Sequence, residues 1–288
     1  MKLCTLSHSK SGWSQPWLPA LDSEQTLVLV FAAPGFDEEE TALEELRRAY
    51  PRATFVGGST SGEILGKSVR DGTLVAAVAR FEKTRLRAAT ATLQATGARD
   101  GGTEAYAAGG ALAEQLAAPD LRAVFVMCDG IHVDGEALVG GLVDALPETV
   151  VVSGGLAGDG DRFHRTWVLV DRQPRAHGVC AVGLYGDAVR VETVEPLKVP
   201  RDCTGDESRA GDMLVVAISG VGRRYALPDA AQDEVAALLA ALPHGTQQIG
   251  FYSYGAIAPW AGADRPDGES GSLHLQHATM QLTTLAEA

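Results

Sequence analysis

Residues 26–33 (TLVLVFAA) are continuously apolar and rich in β-branched side chains, the pattern of a strand buried on both faces. Residues 37–50 (DEEETALEELRRAY) open with acidic and close with basic side chains, and Leu43 and Leu46 belong to one apolar face; this predicts a helix. Residues 53–56 predict a short strand running into Gly57-Gly58-Ser59-Thr60-Ser61-Gly62-Glu63.

The same order returns further along. Residues 123–127 (AVFVM) predict a strand, 134–146 a helix and 150–152 a second strand, followed by Gly154-Gly155. Asp134 falls on Asp37, Glu136 on Glu39, and Gly154-Gly155 on Gly57-Gly58, with no gap, so residues 26–62 and 123–159 read as an internal duplication. A looser third copy has a strand at 214–219, a helix at 233–242, a strand at 247–251 and the loop 250–255 (GFYSYG). Pro51, Pro147 and Pro243 follow the three helices, where each helix must stop.

Between the copies the pattern predicts strand pairs, 72–81 with 85–94, then 167–171 with 178–186 and 188–194, and a helix at 103–118. The polar stretch 195–211, with Pro196, Pro200 and Gly205, reads as a linker. The expected division is an N-terminal domain 1–194, a linker 195–211 and a smaller domain 212–288. The expected fold class is α/β: pseudo-repeated β-α-β units with added antiparallel strands, in mixed sheets covered by helices.

Composition narrows the function. The 288 residues carry 45% hydrophobic and 21% charged side chains, which excludes a disordered chain. A net charge of −13 argues against nucleic-acid or anionic-membrane binding. No apolar run approaches the roughly 18 residues of a membrane helix, and residues 1–14 lack a signal-peptide core. Cys4, Cys128, Cys180 and Cys203 are scattered, which encodes neither a disulfide framework nor a zinc site and suits a cytoplasmic setting.

Glycine is abundant, 33 of 288 against a usual share of roughly 7%, and it concentrates in the loops. The strands of a β-α-β unit are usually parallel, so their following loops share the edge where ligands sit. Cys128, Asp129 and Gly130 are therefore expected beside Gly154, Gly155, Leu156 and Asp159. Backbone N–H groups in such loops point at anions, while Glu63, Asp129 and Asp159 can hold a cation; together they suit an amino-acid-like zwitterion. Either each loop is simply a sharp turn, or the three together form a ligand site, and the repeated position puts the second reading on an equal footing.

Other chemistry is weakly signalled. Residues 61–68 resemble a Walker A loop, but Ser61 replaces the first glycine and a strand follows. Cys128 with His132 could form a thiol–imidazole pair, and Ser59 or Thr60 a nucleophile, although burial and turn formation explain these residues as well. His274 and His277, three apart on an expected strand, point to opposite faces and do not suit joint metal ligation, which leaves a lone proximal histidine for haem.

The loops 56–64 (VGGSTSGEI) and 153–160 (SGGLAGDG), with 250–259 (GFYSYGAIAP) and 273–285 (LHLQHATMQLTTL), resemble the FIST family of bacterial sensory domains. The resemblance covers about 26–194 and 211–285. It implies binding of a small ligand, amino acids among the candidates, and coupling to signalling proteins. It departs from the family pattern in a shortened C-terminal half, in Ala256 where the family has Glu after Tyr254-Gly255, and in Gln276-His277 before Thr279-Met280.

The leading reading is a cytoplasmic small-ligand sensory protein, not an enzyme, with no resident cofactor. It would act in trans through a signalling partner such as a histidine kinase or cyclase. The alternatives are a haem-based nitric-oxide sensor and an enzyme using Cys128 or Ser59. The expected ligand-binding residues are Gly57, Gly58, Ser59, Thr60, Gly62, Glu63, Asp129, Gly154, Gly155, Asp159, Arg223, Arg224, Tyr252, Tyr254 and Gly255. Arg223 and Arg224 are candidate partners for a ligand carboxylate, with plain surface solvation as the other role.

Overall fold

The computed structural model describes residues 1–38, 40–94, 101–194, 212–226, 228–259, 273–276 and 280–288. Cys203, His277, Thr279 and the expected linker 195–211 lie outside the described residues.

Among the described residues the strands form three mixed sheets of seven, six and six strands. Each contains one parallel pair joined through a helix: Thr26–Ala32 with Thr54–Ser59, Leu121–Cys128 with Val151–Leu156, and Leu214–Gly220 with Gln247–Ser253. The connecting helices are Glu40–Ala49, Gly135–Ala145 and Pro228–Ala241. The first begins after a short 3-10 turn at Pro34–Asp37, and Asp134 caps the second by accepting from the Ala137 N–H at 3.0 Å. The fold is α/β, with antiparallel strands completing each sheet.

The two faces of the first strand explain its continuous apolar run. Leu27, Leu29 and Phe31 pack into a central core with Phe125, Met127, Leu214, Ile218 and Phe251. The alternate residues Val28, Val30 and Ala32 pack outward against Leu43, Leu46 and Tyr50 of the first helix region. The other two sheets are covered likewise, by Leu112, Leu116, Leu138 and Leu142 in one case and by Val235 and Leu238 in the other. Phe31 and Phe251 meet at the centre with ring centroids 4.4 Å apart.

The expected strand pairs do not form. Leu74–Arg80 lies between Thr26–Ala32 and Lys2–Ser9, whereas Arg85–Thr92 belongs to another sheet, beside Gly178–Tyr185. The chain turns a corner between them instead of folding into a hairpin. The Glu287 carboxylate holds that corner by accepting the backbone N–H groups of Glu82, Lys83 and Thr84 at 2.6–2.8 Å. Val168–Val170 pairs with Gln173–Arg175 and bridges to Gly58, and Val189–Val194 pairs with Met280–Glu287, so the later strands also disperse. Each gains a neighbour that buries its apolar faces, a choice that local pattern does not reveal.

Strands from both sides of 195–211 share two of the sheets. Glu63–Leu65 pairs with Gln247–Ser253, and Ala256–Pro259 pairs with Val151–Leu156. The Walker-like stretch is a hairpin: Leu65 pairs with Ser68 across Gly66, whose φ is +56°. Its backbone N–H of Gly66 donates to the Gln248 carbonyl, so that donor is not offered to a phosphate.

Candidate functional site

The glycines expected to begin the loops lie inside the second strand of each parallel pair, Gly57-Gly58 in Thr54–Ser59, Gly154-Gly155 in Val151–Leu156 and Gly250 in Gln247–Ser253, and the first of each sits against its neighbour's backbone. A Cβ at Gly57 would lie 1.9 Å from the Val30 carbonyl oxygen, at Gly154 1.8 Å from that of Val126, and at Gly250 2.0 Å from that of Ala217. Each close approach is between residues paired in register. A Cβ at Gly58 would lie 2.7 Å from the Trp167 carbonyl oxygen, and one at Gly155 3.0 Å from that of Gly255.

Beyond these glycines the three loops are knitted together. The Ser61 N–H donates to the Tyr252 carbonyl and the Tyr252 N–H returns a bond to Gly62, both at 2.8 Å. The Gly158 N–H donates to the Ser59 carbonyl at 2.9 Å, and the Gly160 N–H to the Ser61 hydroxyl at 3.0 Å. The Leu156 N–H donates to Gly255 at 2.8 Å. Ser59, Ser61, Gly62, Gly155, Tyr252 and Gly255 are thus brought to one edge.

The three carboxylates have protein partners. Glu63 is buried; it accepts from the Thr60 hydroxyl at 2.7 Å and from the Thr73 hydroxyl and N–H at 2.7 and 3.0 Å. Burial pushes its carboxyl up to about 7 despite those bonds. Asp129, fully buried, accepts from the N–H groups of Ile131, His132 and His177, from the His132 ring and from the Thr166 hydroxyl. Burial acts to raise it, but the bonds from Thr166, Ile131, His132 and His177 outweigh that and leave it below the ordinary range. Asp159 accepts from the Arg162 side chain and the Arg165 N–H.

The arginines are paired as well. Arg223 forms a two-pronged pair with Glu234 at 2.5 and 3.2 Å, and Arg224 does so with Asp71 at 2.8 and 2.6 Å. The Arg224 guanidinium also donates to the Ser61 carbonyl at 2.6 Å and stands 5.2 Å from the Tyr252 ring centroid. Tyr254 stacks on Phe163, centroids 4.4 Å apart. The Tyr252 hydroxyl is buried without a partner among the described residues.

A cavity of about 430 Å³ is lined by Leu93, Glu104, Ile131, His132, Asp134 and His177, the two histidines being partners of Asp129. The His132 and His177 rings stand 4.1 Å apart. Sequence reasoning missed His177, Trp167 and Asp71; of these only Asp71, in an Asp-Gly turn, carried a local signal.

Neither candidate nucleophile is poised. Burial, with the charges of Asp129 and Cys180, drives the Cys128 thiol far above its ordinary range, and the His132 Nδ1 is engaged with Asp129 at 2.9 Å. The Ser59 hydroxyl is fully buried and accepts from the Trp167 N–H at 3.1 Å. Among the described residues no three His, Cys, Asp or Glu side chains are placed to hold a metal, and no helix is long and apolar enough to cross a membrane.

The profile of the FIST N domain matches residues 26–195, more than half of the chain. The chain belongs to the FIST family. FIST domains are sensory domains thought to bind small ligands in signal transduction. The matched stretch contains two of the three glycine loops, while Arg223, Arg224, Tyr252, Tyr254 and Gly255 lie beyond it. No curated protein matches this FIST protein.

Proposed function

We propose that this FIST protein is a cytoplasmic sensor that binds an amino-acid-like ligand at the edge where its three glycine loops meet, and signals in trans through a partner such as a histidine kinase or cyclase. One observation carries the placement: loops 57–63, 154–160 and 252–255 are tied to each other by backbone hydrogen bonds. A ligand that shifts one loop therefore acts on two sheets, the physical requirement for converting binding into a changed surface. The cytoplasmic reading is supported by Cys4, Cys128 and Cys180, all free and buried.

The test is a thermal-shift screen of the purified chain against the common amino acids and related metabolites, because a ligand that binds only the folded state raises Tm. A stabilising ligand whose effect is lost in Tyr252→Ala and kept in Cys128→Ala supports this reading. A Soret band in the purified protein would favour haem sensing instead. Turnover abolished by Cys128→Ala or Ser59→Ala would favour an enzyme.

A further inference from the structure

Arg224 is held with unusual care for a surface arginine. Its Nη1 occupies the space where a Cβ on Gly62 would stand, 2.0 Å away, and Gly62 has φ +131°, so glycine both adopts this backbone and makes the room. The Ser61 carbonyl and the Tyr252 ring fix the guanidinium from two further directions. Its remaining fork engages Asp71, whose side chain is 72% exposed and stands in the turn between Ser68–Arg70 and Leu74–Arg80. A pre-set, mostly buried cation is therefore closed by a carboxylate standing in water.

The second observation is independent of that pair. Tyr252 is 1% exposed and its hydroxyl has no hydrogen-bond partner among the described residues. Ser219, its register neighbour on the adjacent strand, is also fully buried, with a hydroxyl that has no partner among the described residues. Leaving such a group unpaired is costly, so two together mark a place prepared for a polar guest. The Tyr252 hydroxyl feels the charges of Arg224, Glu234, Arg223 and Asp71, which places it in the field of both arginine–carboxylate pairs.

We propose that Arg224 is the anchor for a ligand carboxylate and that Asp71 is a built-in competitor holding the anchor until the ligand arrives. The inference deepens the ligand reading above and rests on it for the identity of the natural ligand. On binding, the ligand carboxylate takes the two donors that Asp71 now occupies and receives a third bond from the Tyr252 hydroxyl. The displaced Asp71 frees the 71–72 turn, two residues before Thr73, whose hydroxyl and N–H hold Glu63. A planar, two-oxygen group is favoured over a tetrahedral one because the fork already accommodates a carboxylate in two-pronged geometry.

The test uses acetate on the full chain, followed by the Arg224 side-chain Nε–H resonance, which Arg224→Lys assigns by its disappearance. Asp71→Asn should bind acetate at least threefold more tightly than the wild type, with Asp71→Ser as a second variant removing the same competitor. Tyr252→Phe in the Asp71→Asn background should lose most of that gain. Equal acetate affinity with and without Asp71, or inorganic phosphate binding more tightly than acetate, overturns the proposal. If acetate binds Asp71→Asn as stated but no amino acid stabilises the protein, the anchor stands and the ligand reading fails. If an amino acid stabilises wild type, Asp71→Asn and Arg224→Lys alike, the reading stands and the anchor fails.

Discussion

The Glu287 carboxylate accepts the backbone N–H of Thr84 at 2.7 Å across 203 positions of sequence. It also takes the N–H groups of Glu82 and Lys83, and lies 3.4 Å from the terminal amine of Met1. Both chain ends are thereby fastened to the corner where the chain passes from one sheet to another.

Glu287 should make the protein acid-sensitive. Burial acts to raise its carboxyl, but the bonds from Glu82, Lys83 and Thr84 outweigh it and bring the group down to about 2. A depressed carboxyl contributes stability above its unfolded value and loses it as pH falls, here between about 4.5 and 2. Glu287→Ala leaves the N–H and hydroxyl of the buried Thr84 unpaired and should cost about 1–3 kcal/mol at neutral pH. Urea unfolding of both proteins from pH 2 to 7 checks this. Parallel pH profiles would refute the role of Glu287.

Glu63 should act in the opposite direction. Its carboxyl is raised from 4.5 to about 7, so the fold favours the protonated form. That stability is complete below about 4.5 and is lost as pH rises through 7, roughly 3 kcal/mol at 1.4 kcal/mol per pH unit. Glu63→Gln imitates the protonated group: its oxygen can accept from Thr73 while its amide donates to Thr60. The variant should match or exceed wild-type stability at pH 8 and show a flatter profile between pH 5 and 8. A variant markedly less stable than wild type at pH 8 would contradict this.

The paired-strand glycines should be intolerant of even one methyl group. A Cβ at Gly57 or Gly154 would lie under 2 Å from a carbonyl oxygen, which only separation of the paired strands can relieve. Gly57→Ala and Gly154→Ala should each cost about 2 kcal/mol or more. Gly35→Ala, where nothing lies within 4 Å, is the control and should change stability little. Calorimetric melting of the three variants decides the point.

Asp129→Asn should loosen the loops around the His132–His177 cavity. The substitution turns one of two accepting oxygens into a donor facing groups that already donate, among them the N–H of His177 at 2.7 Å. A loss of about 2–4 kcal/mol is expected. His177 holds φ +58°, a conformation uncommon outside glycine. Faster amide exchange at Ile131, His132 and His177 should accompany the loss. Unchanged exchange there would show that Asp129 does not organise these loops.

Much of the fold was legible because its signals are local. The apolar run at 26–33, the charge gradient along 37–50 and the Gly-Gly pairs at 57–58 and 154–155 each report a strand, a helix or a close approach within a few residues. The parallel pairs within each β-α-β unit were legible, but the antiparallel partners were not. Leu74–Arg80 and Arg85–Thr92 look like a hairpin by proximity, but remote strands pair with each of them and the remote Glu287 holds the corner between them.

The sequence by itself determined the three strand–helix–strand units and their recurring glycines, because periodicity and backbone freedom belong to each residue and its near neighbours; the strand Lys2–Ser9 and the helix Val221–Ala226 carried no such signal. Nor did the sequence determine what the polar side chains near those glycines do. Glu63, Asp129, Asp159, Arg223 and Arg224 read alike as candidate ligand contacts. Only the tertiary structure sorts them, since a buried charge takes whatever partners the fold brings to it: Thr73 for Glu63, Thr166 and His177 for Asp129, Glu234 for Arg223, and for Arg224 the exposed carboxylate of Asp71.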